Sequence, residues 1–146
     1  MKKFQFRLDA VMKVNQLHQN DAEIILQKRV SADIMAHQKL TEYQQTLKNN
    51  SDLIENKHQK VNSVDELLRH RLFLNLLNDQ VDHQKKRCNE TQKEVQQARE
   101  VLVEASKRTQ TIENLKDKQY RNHYQLMLKE EQNELDEIAQ RQKPQL

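Results

Sequence analysis

The sequence has no glycine and no tryptophan, a single proline at Pro144 and a single cysteine at Cys88. Glycine and proline let a chain turn tight corners, so their near-absence argues against sheets and many-cornered bundles. Without glycine there is also no glycine-rich phosphate loop. A lone cysteine forms no intrachain disulfide and suits a reducing cytosol. Aromatic residues make up 4% of the chain, too few to build a base-stacking platform. No window approaches the roughly 18 apolar residues of a membrane span. After Met1-Lys2-Lys3, the apolar run of a secretion signal is interrupted by Arg7, Asp9 and Lys13. The net charge of +3 is spread along the chain without a basic block or an acidic tail, so nucleic acid is not indicated.

What remains is 35% hydrophobic and 32% charged. The chain is too polar to bury a globular core, but it is rich in the helix formers Gln, Lys, Glu, Leu and Arg. Long helices that bury only a stripe fit such a composition. Uniform disorder is the competing reading, and the periodicity speaks against it. Alternating steps of three and four from Leu74 reach Leu77, Val81, Gln84, Cys88, Thr91, Val95, Ala98, Leu102, Ala105, Thr109 and Ile112. This is an unbroken heptad seam, one wall of a coiled coil.

A second, more interrupted seam starts at Phe4 and passes through Leu8, Val11, Asn15, His18, Ala22, Ile25, Arg29, Ala32 and Ala36. A stutter at Ala36 to Leu40 leads on to Tyr43, Leu47, Asn50, Ile54, Lys57, Val61 and Val64. Between the seams, Ser63 and Glu66 have capping-box spacing, with Asp52 and Glu55 as a rival start. The expected architecture is all-α: one elongated domain over 1–146, a long antiparallel two-helix coiled-coil hairpin with a projecting C-terminal helix end. Helix one covers about 8–61, a turn or short connecting helix about 62–66, and helix two about 67–141.

A corner near residue 63 sets Leu8 near Gln119, so residues 120–141 project and only residues 1–7 can fold back onto them. That end carries Tyr120, Tyr124, Met127, Leu128, Leu135 and Ile138 at near-helical spacing. Exposed apolar faces mark binding sites; a continued four-helix or dimeric coil explains the same residues. Tyr120 and Tyr124 either end the seam or belong to a docking face. Leu72, Phe73, Leu74, Leu76 and Leu77 wrap more than one helical face, so either the connection or another protein covers them.

Chemistry is sparse. The histidines His18, His37, His58, His70, His83 and His123 show neither an i, i+4 pair nor zinc-ligand spacing with Cys88, and they read as surface or seam-edge residues. Cys88 reads as a small core residue, and Lys85-Lys86-Arg87 as a solvated face. Glu104/Arg108, Asp117/Arg121 and Glu137/Arg141 are helix-supporting i, i+4 pairs. A two-helix rod offers no dry concavity for catalysis; neither an enzyme nor a cofactor or metal is expected.

Two stretches carry a family resemblance. The start, Phe4-x-Phe6-x-Leu8-x-x-Val11-Met12, and the end, Glu131-Gln132-x-x-Leu135-Asp136-Glu137-Ile138-Ala139-Gln140-Arg141, resemble FliJ, the small coiled-coil protein of the flagellar type III export apparatus. Stalk proteins of injection systems share the design. The resemblance implies a stalk similar in shape to the gamma subunit of rotary ATPases. Its partners would be the hexameric export ATPase FliI, the export gate protein FlhA and flagellar export chaperones. It implies an ATPase-binding face of Tyr124, Leu128, Glu131, Leu135, Asp136, Glu137, Ile138, Ala139 and Arg141. Phe73, Leu76, Leu77 and Gln80 would lie on the gate-binding surface. The location implied is cytoplasmic, peripheral to the inner membrane through partners. Competing functions are a coiled-coil holdase or export-chaperone escort without ATPase coupling, and a purely structural homodimer.

Overall fold

The computed structural model describes residues 3–57 and 63–142. Two helices, α1 (Asp9–Lys57) and α2 (Val64–Arg141), pack against each other as an all-α hairpin. With neither glycine nor proline inside either span, nothing interrupts the backbone ladder. Ahead of α1, the Asp9 amide donates to the Phe6 carbonyl at 3.2 Å, so the aromatic alternation at Phe4 and Phe6 runs directly into a helix. Ser63 stands immediately before α2, and Asp65 and Glu66 occupy its first turn, where carboxylates favour the helix dipole. The helix therefore starts at Val64 rather than at 67. Of the connection, residues 58–62 lie outside the described residues.

The contacts divide the chain into two units. In unit 2 (Ala22–Leu102), Leu77, Val81, Gln84, Cys88, Thr91, Val95 and Ala98 of α2 are buried and Leu74 and Leu102 half-buried. Every one of them stands on the heptad seam. Each larger member, such as Val81 or Val95, contributes about 1.5–3 kcal/mol on burial. Rising numbers on α1 meet falling numbers on α2: Asp33 bonds to Thr91 and Ala36 to Gln84, so the helices run antiparallel.

On α1 the seam is displaced from the heptad reading. Leu26 and Val30 turn inward while Ile25 and Arg29 stay exposed, and Asp33 rather than Ala32 faces the Thr91 hydroxyl. Burying a guanidinium without compensation is expensive. Kept outside, Arg29 reaches Glu94 at 3.1 Å, and two aliphatic side chains take its place. From Ala22 the inward steps are four to Leu26, four to Val30, three to Asp33, three to Ala36 and four to Leu40. The extra residue at Val30 is thus offset before Ala36, and the seam needs no net stutter. From Ala36 onward Leu40, Tyr43, Leu47, Asn50 and Ile54 line the interface.

Unit 1 joins Met1–Asp21 to Val103–Leu146. Its α1 face is Met12 with Asn15 and Gln19, where the heptad reading has Val11 and His18. Thr109 is buried on α2, and the Lys116 ammonium reaches Asp9 at 3.7 Å and lies over the Phe6 ring, 5.9 Å from its centre. The N-terminal segment folds back along α2. The rings of Phe4 and Tyr120 meet edge-on at 5.4 Å, and His123 lies 5.6 Å from Phe4.

Candidate functional site

The described residues offer surfaces rather than a cleft. They contain no group of three or more His, Cys, Asp or Glu placed to hold a metal ion. Apolar side chains stay exposed on both helices, Leu17, Ile24 and Met35 of α1 among them; the two faces that coincide with the expected contact surfaces are on α2.

The first lies at the start of the helix. Val64, Leu68, Leu72, Phe73 and Leu76 are exposed, Leu72 and Leu76 each to 63%. Leu74 and Leu77 turn into the seam, Leu77 being buried. Gln80 is exposed and lines a shallow groove of about 500 Å³ with Tyr43, Leu76, Asp79, His83 and Gln84. Of the residues assigned to the gate-binding surface, Phe73, Leu76 and Gln80 therefore share an open face, and Leu77 supports it from beneath. Leu72, named with Phe73 and Leu76 in the apolar run that wraps more than one helical face, is exposed beside Phe73.

The second face is the C-terminal end. His123 and Met127 are the last half-buried residues of α2, and every residue from 128 to 142 is exposed. Tyr124, Leu128, Leu135 and Ile138 stay exposed, Leu135 to 66%, along with Glu131, Asp136, Glu137, Ala139 and Arg141. Arg141 lies 4.0 Å from Glu137, a contact of little energetic weight at such exposure. Tyr120 and His123 both meet Phe4 in the intrachain packing, while Tyr124 begins the open stripe.

Residues 4–143 match the family described as flagellar FliJ protein. The chain belongs to the FliJ family. It is accordingly a component of the type III protein export apparatus, and the family is a non-enzymatic one. No curated protein sequence matches the chain. Among solved structures, a protein of Chlamydia trachomatis described as a YscO homologue is similar over 96% of this chain and 91% of its own, with a TM-score of 0.57 and 14% identity. At that identity the likeness is one of fold. Among the described residues, no helix of this FliJ-family chain is long and apolar enough to cross a membrane.

Proposed function

We propose that this chain is the stalk of a flagellar export ATPase. The observation that carries the reading is the C-terminal end of α2, where no residue from 128 to 142 is covered while Leu128, Leu135 and Ile138 stay exposed. Each such side chain offers about 1.5–3 kcal/mol to whatever buries it. The partner in this reading is the hexameric ATPase FliI, contacted by Tyr124, Leu128, Glu131, Leu135, Asp136, Glu137, Ile138, Ala139 and Arg141. A rod that binds only the assembled ring shifts the assembly equilibrium toward it.

The exposed apolar face of Leu72, Phe73 and Leu76, with Gln80 beside it, supports a second contact, to the export gate FlhA. That contact would hold the protein at the cytoplasmic face of the inner membrane. Export chaperones are further partners under the same family reading.

The deciding assay is the hydrolysis rate of FliI with and without the chain. Stimulation is expected, and Leu135→Asp with Ile138→Asp removes it without loss of helicity, since both side chains are exposed. An intact chain that leaves the rate unchanged overturns the stalk. In that case the holdase reading predicts client protection that survives deletion of residues 120–146.

A further inference from the structure

The intrachain packing of unit 1 runs along α2 through Thr109, Ile112, Lys116, Tyr120, His123 and Met127. Carried past Met127 at the same spacing, that line reaches Glu130, Glu134, Glu137 and Arg141. Carboxylates do not enter an apolar seam unpaired, so the intrachain coil ends where they begin. The apolar residues do not end there; they change line. Tyr124, Leu128, Leu135 and Ile138, with Glu131 among them, each follow a seam position by one residue, which turns them about 100° around the helix. On the other side of that stripe run Gln125, Lys129, Gln132, Asp136 and Ala139, one charge of each sign. The stripe thus has an acidic lip, three glutamates against an arginine 4.0 Å from Glu137, and a lip that is neutral in sum.

We infer that the surface receiving this end of α2 is an apolar groove with basic side chains along one lip only. The inference rests on the stalk reading and names the chemistry of its partner. The asymmetry admits one rotational setting of the helix, since turning it about its axis sets the glutamates against the uncharged lip. An antiparallel second copy docked stripe to stripe would bring a second row of glutamates to the same edge, and a parallel one would offer them only Lys129, offset by Asp136, so a heterologous partner is the occupant.

The test is binding of the full chain to assembled FliI rings at low and at physiological ionic strength. It compares the unaltered chain with Glu130→Gln/Glu134→Gln/Glu137→Gln and with Gln125→Glu/Gln132→Glu, helicity being checked for each. The triple variant is expected to bind roughly tenfold more weakly at low salt and to lose most of its salt dependence; added acids on the other lip bring no gain. A triple variant with unaltered affinity and salt slope, beside a Leu135→Asp variant that no longer binds, overturns the one-sided groove and leaves the stalk standing. No binding by the unaltered chain overturns both. A tight dimer dissociated by Leu135→Asp makes the occupant a second copy and overturns the inference.

Discussion

Thr91 donates a 2.7 Å hydrogen bond from its hydroxyl to the carboxylate of Asp33 on the opposite helix. Thr91 is the most deeply buried of the described residues of unit 2, at 1% exposure, and its hydroxyl also lies 2.9 Å from the Cys88 carbonyl. His37 approaches the same carboxylate at 3.2 Å and Gln92 at 3.2 Å through its other ring nitrogen. The two helices are thus tied by a polar layer within the seam, as they are again where Gln84 donates to the Ala36 carbonyl at 2.9 Å. Replacing Thr91 by Val keeps the volume but leaves Asp33 short of a donor, with an expected loss of about 1–3 kcal/mol. Denaturant unfolding reads it. Thr91→Val/Asp33→Leu should recover most of the loss, and a single variant as stable as the parent would show that the bond contributes nothing.

The edge-on contact of Phe4 and Tyr120 fixes the N-terminal segment on α2. Phe4→Ala should cost about 0.5–1.5 kcal/mol beyond the area lost, locally. Amide exchange is expected to quicken at residues 112–124 and to stay unchanged across residues 77–98. Faster exchange in both stretches would mean that the segment supports the whole hairpin.

Asp9 supplies a pH dependence. The hydrogen bond from Lys13 holds its carboxyl below the usual aspartate range against the opposing effect of desolvation, and the charges of Lys13 and Lys116 add to the lowering. A carboxyl depressed in the folded state stabilises above its unfolded pKa of about 3.9, and that contribution is lost as the pH falls through the folded value. NMR titration should therefore find Asp9 titrating below an ordinary aspartate, and Lys13→Met should move it up. An ordinary midpoint in the parent chain would contradict the Lys13 contact.

Cys88 is buried at 3% exposure, with no base assigned to it. A thiol reagent should label it at the rate of unfolding or local opening and not at the rate of a free thiol. Labelling as fast in native buffer as in denaturant would place Cys88 outside the seam.

The α2 seam was legible because its heptad is unbroken: Leu77 through Ala98 fall where the spacing sets them. The α1 seam was only half legible. Val11-Met12 and Ile24-Ile25-Leu26 offer apolar residues on adjacent lines, and spacing alone does not choose between them. The choice is made by Arg29, whose charge stays with Glu94, and by the Asp33 bond to Thr91, both of them contacts between residues far apart in sequence. The fold-back of Phe4 followed from the hairpin geometry. The acidic lip escaped because charge was weighed over the whole chain, where Glu130, Glu134 and Glu137 are diluted by a net +3. Leu77 stood both on the heptad seam and on the gate-binding surface implied by the resemblance, and its burial assigns it to the seam.

The seam of unit 2 is built of small side chains, Cys88, Thr91 and Ala98 among them, while Leu72, Phe73, Leu76, Leu135 and Ile138 stay outside. In most globular proteins the interior is the part that resists mutation and the surface drifts. Under the stalk reading the relation is inverted: exchanges among alanine, serine and cysteine at Cys88 and Ala98 pass inside the hairpin, Thr91 being held by its bond to Asp33, while the bulky residues on its outside would answer to other molecules. A mutational scan scored by export should therefore be harshest at positions that a scan scored by folding leaves untouched.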